Sequence, residues 1–211
     1  MPDNPKIYHI LPLDKLDSIF AEGSLYSENL LSGRNVLVGS NIGISEIKER
    51  RRKTQIPCCE GLFVGDCVPF YYCARSVMLY LIYRGNHHNL QYKGGQKEIV
   101  HLEFNVHEVY AWAKLNNYHA IITDRNAGTV FFEAWDHLDA LKNLDWEAIN
   151  AVVWHGCKDG KQAEFLVENA VSVSLIKRIG VMNSSVKNSV EGLLQKHGLE
   201  IPVEIRGDWY Y

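Results

Sequence analysis

A glutamate at the head of an apolar run is the clearest candidate for chemistry in this sequence. Residues 160–167 read Gly-Lys-Gln-Ala-Glu-Phe-Leu-Val, so Gln162 lies two positions before Glu164. Residues i and i+2 of an extended backbone point to the same face, and we expect these two side chains to share one surface. Such a pair is typical of ADP-ribosyl transfer from NAD, in which the carboxylate holds the nicotinamide ribose and stabilises positive charge as the glycosidic bond breaks. The common alternative is a solvated glutamate on an edge strand.

A basic cluster, Lys-Glu-Arg-Arg-Arg-Lys, occupies residues 48–53. Successive side chains of a helix point about 100° apart, so only one or two of Arg50, Arg51 and Arg52 can face a given site. One arginine can then face a phosphate or a reacting base while the others contact a nucleic-acid backbone. A solvated helix face is the usual alternative.

Aromatic and basic residues are densest in residues 67–80, where three consecutive aromatics precede Arg75. Aromatic rings beside an arginine can stack on and clamp unpaired bases, although core packing explains many such rings. His9 and His119 lie near the ends of predicted strands. Either imidazole can hold a ribose or a carboxamide, or can be a structural histidine.

The composition excludes several classes of protein. The chain has 211 residues, of which 46% are apolar, so it can form a stable core without metal or disulfides. Its net charge of -3 does not indicate nucleic-acid binding, which would need a local basic patch. The five cysteines include no Cys-x-x-Cys pair. This pattern argues against a disulfide framework or a structural zinc site and is typical of proteins in a reducing cytoplasm. We find no secretory signal and no apolar run of about 18 residues, so no membrane span is expected.

The residue pattern predicts one α+β domain, residues 1–211, with short strands, intervening helices and two long loops, at 24–42 and 57–69. A shorter loop is predicted at 155–163. The predicted strands are 6–11, 98–104, 119–123, 151–154, 164–167, 172–179 and 203–206. The predicted helices are 14–22, 44–53, 74–83, 105–115, 132–142 and 184–197.

These segments together resemble the DarT family of DNA ADP-ribosyltransferase toxins, in family order and over nearly the whole chain. The middle segment and the Gln-Ala-Glu-Phe segment are the most specific. The matching segments are Tyr8-His9-Ile10, Ile47-Lys-Glu-Arg-Arg51, Val68-Pro-Phe-Tyr-Tyr-Cys-Ala-Arg75-Ser with Met78-Leu-Tyr, His119-Ala-Ile-Ile-Thr-Asp124, and Lys161-Gln-Ala-Glu164-Phe-Leu-Val.

The resemblance implies an ADP-ribosyltransferase-like fold, NAD as co-substrate, thymidine in single-stranded DNA as acceptor, and a macrodomain antitoxin, DarG, as partner. It makes Glu164 and Arg51 the catalytic residues and implies no metal. The implied cofactor-binding residues are His9, Ile10, Leu11, Gly23, Arg51 and Tyr71. The implied DNA-binding residues are Arg75, Met78, His119 and Gln162.

One departure concerns the helix entry beside Arg75. The family often has Pro-Arg-Ser-Pro where this chain has Ala74-Arg-Ser-Val77, which alters how Arg75 is aimed. Related families modify guanosine, so the acceptor base is less closely specified than the reaction. The alternatives are a transferase acting on guanosine, RNA or protein, and a non-catalytic nucleic-acid-binding domain.

Overall fold

The computed structural model describes residues 1–33 and 39–211, and its strands and helices confirm the predicted α+β class. The strands are β1 (Lys6–Pro12), β2 (Ser24–Tyr26), β3 (Cys67–Tyr71), β4 (Ile99–Asn105), β5 (Ala120–Thr123), β6 (Ala134–Trp135), β7 (Glu164–Glu168), β8 (Ala170–Ser172), β9 (Arg178–Val181) and β10 (Val203–Ile205). The α-helices are α1 (Leu16–Glu22), α2 (Glu28–Gly33), α3 (Ser45–Lys53), α4 (Val77–Arg84), α5 (Val106–Leu115), α6 (Trp146–Asn150), α7 (Lys158–Lys161) and α8 (Ser184–His197).

Eight strands form one sheet in the order β10-β9-β4-β1-β3-β7-β5-β6, and β2 pairs with β8 in a separate ribbon. The neighbouring strands are antiparallel except β9 and β10, which are parallel. Strands β3, β7 and β5 are adjacent, so the ends of these strands bring distant parts of the chain together.

The two faces of the sheet have separate cores because side chains alternate along each strand. Phe70, Phe104 and Phe165 point to the face that α1, α5 and α8 cover. On the opposite face, Ile121 and Leu166 pack against the segment that follows α3. None of the helices among the described residues has the length and apolarity needed to cross a bilayer.

Several local predictions are confirmed. The predicted helix 184–197 matches α8 in full, and Asn105 caps α5 by accepting hydrogen bonds from the backbone of His107 and Glu108. Gly23 ends α1 with a φ of 68°, a left-handed conformation that glycine adopts without strain.

Both long loops were predicted to be longer than they are, because each contains regular secondary structure. Residues 24–42 contain β2 and α2, and residues 34–38 lie outside the described part of the chain. Residues 57–69 include the start of β3. The sequence pattern did not predict this strand, which contains Pro69. Both misses are short elements whose tertiary pairing outweighs local propensity.

The region before Glu164 was also assigned incorrectly. The predicted helix 132–142 is β6 followed by a 3-10 helix, because Asp124 accepts the backbone N–H of Glu133 and holds this segment beside β5. The predicted strand 151–154 is a turn that follows α6, and the predicted loop 155–163 contains α7.

Two further bounds differ from the prediction. Helix α4 begins at Val77 rather than at residue 74, because the Ser76 side chain caps it by accepting from the Leu79 N–H. The predicted strand 172–179 is the end of β8, a 3-10 helix and the start of β9.

Candidate active site

Glu164 is the first residue of β7 and lies in the interior of the large sheet. Tyr71 of β3 and Thr123 of β5 are its partners on either side. The Glu164 N–H donates to the Thr123 hydroxyl at 3.2 Å, and the residue is only 1% exposed. The sheet therefore fixes the backbone of this carboxylate from both sides.

Arg51 supplies the charge that balances the buried carboxylate. Its Nη1 lies 3.1 Å from Oε1 and 3.0 Å from Oε2 of Glu164. The Ala127 N–H donates to Oε2 at 3.1 Å. Ionised groups are buried in proteins when they are paired and hydrogen-bonded in this way.

The orientation of α3 selects one arginine of the basic cluster. Arg51 points to Glu164, whereas Arg50 is exposed. Arg52 forms ion pairs with Glu28 at 3.0 Å and Glu49 at 3.4 Å. The expectation that only one or two of the three arginines face a site agrees with this geometry.

Burial and charge both act on the groups around Glu164. Burial alone lowers the pKa of Arg51, but the charge and hydrogen bonds of Glu164 outweigh it, so the pKa is raised. The pKa of Tyr71 is also raised, first by burial and then by the Glu164 charge. Arg51 therefore remains a cation and Tyr71 a neutral phenol, and neither is suited to accept a proton.

Strands β1 and β3, near the centre of the sheet, are paired over only a short length, which leaves a gap between them. Among the described residues, β1 pairs with β3 only at Tyr8 and Tyr71. His9 follows, and its Nδ1 lies 2.8 Å from the Pro69 carbonyl, to which it donates. Burial lowers the pKa of His9 to about 4, so its ring is neutral at pH 7. A neutral imidazole next to an open strand edge can bind a ribose hydroxyl or a carboxamide.

The other predicted cofactor-binding residues differ in how they can contribute. The side chains of Ile10 and Leu11 are buried in the core, so any ligand contact of these residues would be made by the backbone, which also pairs with β4. The Gly23 carbonyl accepts from Val173 N–H, close to the β2–β8 ribbon. The contacts of Gly23 are structural, and its cofactor role stays a prediction.

Two predicted DNA-binding residues lie on the segment that leaves β3. The Arg75 guanidinium carbon is 4.4 Å from the ring centroid of Tyr211, and the Tyr211 hydroxyl donates to the Arg75 carbonyl. Arg75 Nε is buried and has no hydrogen-bond partner in the described residues. Met78 is partly buried against the core beneath α4. Arg75 is therefore held by its surroundings while it retains an unused donor.

Gln162 is not placed as the sequence suggested, and His119 lies next to the start of β5 as expected but at the end remote from Glu164. Gln162 has φ −101° and ψ 14° at the end of α7, so it is not extended and does not share a strand face with Glu164. His119 lies opposite Glu168, to which its backbone N–H donates. Four residues of strand, about 13 Å, separate Glu168 from Glu164. His119 therefore lies away from the Arg51–Glu164 pair, and the DNA-binding roles of both residues stay predictions.

A cleft of about 240 Å³ lies at the end of the sheet where Tyr71 leads into Arg75. Lys161, which is 4% exposed, stabilises one wall by donating from Nζ to the carbonyls of Ile149 and Ala151 at 2.6 Å and 2.9 Å. The cleft is lined by Tyr8, Tyr72, Cys73, Ala74, Arg75, Ile149, Asn150, Ala151, Val152, Lys161, Asp208, Trp209 and Tyr211.

Two site residues were missed by the sequence analysis. Thr123 was assigned only to a strand, and Ala127 lies in a turn without periodicity. The sequence signals for the turn are the Asp124-Arg-Asn126 run and Gly128, residue types that favour turns. In the described residues, no three His, Cys, Asp or Glu side chains are grouped to hold a metal ion.

A family model described as "ssDNA thymidine ADP-ribosyltransferase, DarT" matches residues 8–211. The chain belongs to the DarT family. This assignment confirms the predicted class of enzyme, a DNA ADP-ribosyltransferase. A DarT-family relative, the DNA ADP-ribosyl transferase of Thermus sp. (strain 2.9), is 35% identical over an alignment of 215 residues that covers 100% of this chain and 98% of the relative.

Solved DarT structures are similar over the whole chain. Thermus sp. 2.9 DarT in complex with ADP-ribosylated ssDNA has a TM-score of 0.89 and 35% identity, covering 100% of this chain and 98% of that chain. The same protein in complex with NAD+ has a TM-score of 0.85 and 33% identity, covering 100% and 99%. These likenesses confirm the ADP-ribosyltransferase-like fold that the resemblance implied.

Proposed function

We propose that this DarT-family protein transfers ADP-ribose from NAD to a thymine base in single-stranded DNA, with Glu164 and Arg51 as its catalytic residues. The observation that carries the proposal is the buried pair itself, in which Arg51 Nη1 and the Ala127 N–H surround the carboxylate. A fixed carboxylate can stabilise positive charge on a ribosyl group more strongly in this environment than in water.

In the proposed reaction, the bond between the nicotinamide nitrogen and the ribose C1′ breaks. Its electron pair leaves with nicotinamide, and positive charge develops on the ribose beside Glu164. Thymine N3 then attacks C1′ and loses its proton. The raised pKa of Arg51 rules out its guanidinium as the base. Arg51 stabilises the thymine anion instead, and the proton passes to Glu164 or to a group that Arg51 orients.

The cofactor site is proposed to begin at the gap between β1 and β3. His9 would contact the nicotinamide end, together with the backbone of Ile10 and Leu11. Tyr71, which remains protonated and faces Glu164, is a hydrogen-bond donor to the same ligand. On the acceptor side we place Arg75, which lines the cleft, and Met78 on the helix that follows it. An unpaired base reaches such a site without the free-energy cost of flipping, which favours single strands.

Family membership also supports a proposal for the cellular role. We expect the protein to be a toxin whose partner is a DarG macrodomain antitoxin that removes the modification. NAD and DNA are both cytoplasmic substrates, so we expect the toxin to act in the cytoplasm.

The test combines the protein and NAD with a matched set of oligonucleotides. A single strand that contains thymidine should gain ADP-ribose, and mass spectrometry with fragmentation should place it on the thymine. The same strand with every thymidine replaced by deoxycytidine should remain unmodified, and annealing a complement should suppress the reaction. Modification of guanosine, or equal modification of the duplex, would overturn the proposed acceptor. Labelling of RNA or protein alone would overturn the proposed substrate class.

A further inference from the structure

Five aromatic side chains form a continuous row beside the cleft, which we call the aromatic ladder: Tyr83, Tyr211, Tyr80, Trp154 and His155, in order of contact. Tyr83 stacks on Tyr211 with centroids 6.0 Å apart, and Tyr211 meets the edge of Tyr80 at 5.1 Å. Tyr80 contacts Trp154 at 5.3 Å, and Trp154 stacks on His155 at 5.5 Å with the rings 9° from parallel. The row joins α4, the turn after α6 and the last residue of the sequence.

The two ends of the aromatic ladder are open to solvent. Tyr83 is 50% exposed and His155 is exposed, whereas Trp154 between them is 8% exposed. Val152 and Val153 lie in the same turn and are 71% and 79% exposed. The buried middle of the ladder fixes the orientation of the exposed rings at its ends.

A cation lies next to the ladder and retains an unused donor. The Arg75 guanidinium stacks on Tyr211 at 4.4 Å, and its Nε is buried without a partner among the described residues. Aromatic rings with an adjacent arginine are the features with which proteins bind single strands, because every base has a π-face and every nucleotide a phosphate.

The ladder is also tied to the catalytic carboxylate. Lys161 precedes Glu164 by three residues and holds the carbonyls of Ile149 and Ala151, at the base of the turn that carries Trp154. Arg75 follows Tyr71, the strand partner of Glu164, by four residues. Arg75 and Lys161 are therefore joined to strands β3 and β7 at the strand ends where Glu164 lies.

We propose that the aromatic ladder is a stacking subsite for a nucleotide that flanks the acceptor thymidine, with a base on Tyr83 or His155 and its phosphate facing Arg75. The proposal rests on the proposed function and extends it by naming residues that select the strand around the acceptor.

The test uses single-stranded oligonucleotides with one acceptor thymidine and one abasic site, moved along the strand one position at a time. For the unaltered protein, kcat/KM should fall about 5- to 150-fold when the abasic site removes the stacked base. Abasic sites at more distant positions should have little effect. Equal rates at every position would overturn the subsite.

Variants then assign the sensitive position to the ladder. Tyr83→Ala and His155→Ala remove exposed rings, and at least one of them should reduce the abasic penalty to within about twofold while lowering kcat/KM for the intact strand. Leu115→Ala is the matched control, because Leu115 is 84% exposed on α5, across the sheet. This control should retain the full penalty.

The outcomes separate the two proposals. A penalty that persists in both ring variants would overturn the ladder subsite while leaving thymidine transfer intact. Failure of the unaltered protein to modify any oligonucleotide would overturn the proposed function, and with it the subsite. Circular dichroism should show that both ring variants remain folded, since each altered side chain is exposed.

Discussion

Replacing Arg51 by alanine should separate the two consequences of the buried ion pair, on stability and on catalysis. Glu164 is 1% exposed, and the Arg51 side chain is 13% exposed. Removing one partner of a buried pair leaves the other charge uncompensated, which costs about 3–5 kcal/mol. The Ala127 N–H still donates to Oε2, so we expect a loss of about 3 kcal/mol in the free energy of unfolding.

The double variant Arg51→Ala/Glu164→Gln isolates the electrostatic part of that loss. A neutral amide needs no counterion, so the double variant should be about 1–2 kcal/mol more stable than Arg51→Ala alone. Arg50→Ala is the control, because Arg50 lies one position away on α3 and is exposed; its effect should be within about 0.5 kcal/mol.

Urea unfolding followed by tryptophan fluorescence at pH 7 measures these differences, and oligonucleotide modification measures catalysis in parallel. Arg51→Ala should also lower the transfer rate about 100- to 1000-fold. If Arg51→Ala and Arg50→Ala were equally stable and equally active, the basic cluster would be a diffuse surface and the role of Arg51 would be refuted.

The remaining predictions concern three other positions. Glu164→Gln should lower transfer about 100- to 1000-fold in a protein that still unfolds cooperatively, and near-normal modification would contradict its catalytic role. Burial lowers the pKa of His101 to about 4, against about 6.5 when unfolded. At this histidine only the unfolded state then binds a proton between these values, so the contribution of His101 to stability should fall by about 2 kcal/mol from pH 6.5 to pH 5, in addition to that of His9, whose pKa burial lowers in the same way. A His101→Gln variant that kept the same pH slope in urea titrations would show that another group is responsible. Gly180→Ala should destabilise the fold by about 1–3 kcal/mol, because a Cβ there would lie 2.2 Å from the Trp209 ring, and an unchanged melting temperature would disprove that contact.

The contact between Arg51 and Glu164 joins two residues that each carry a local sequence signal. Glu164 begins an apolar strand, and the helical offset within the basic cluster limited how many arginines could face one site. The predicted pairing of Gln162 with Glu164 failed because α7 ends only at Lys161 and leaves Gln162 in a helical turn. Residue spacing alone does not show where a strand begins to within two residues.

Other features depend on contacts between distant segments. The aromatic ladder combines residues 80, 83, 154, 155 and 211, and no periodicity links these positions. The Ala127 amide reaches Glu164 because side chains of its turn satisfy local backbone groups. The gap between β1 and β3 depends on sheet register, which a sequence without pairing information does not define.

The two proposed catalytic residues are attached to the protein with different rigidity. The Glu164 backbone is held between two neighbouring strands, whereas Arg51 is carried by a nine-residue helix that packs mainly on residues 64–66. A local opening that moves α3 away would break the ion pair and leave the sheet unchanged. Hydrogen exchange should then show slow amide exchange at Glu164 and faster exchange along α3. Glu164 would then stay in place on β7 while Arg51 moves with α3. Substrate could exchange for product without unfolding of β7.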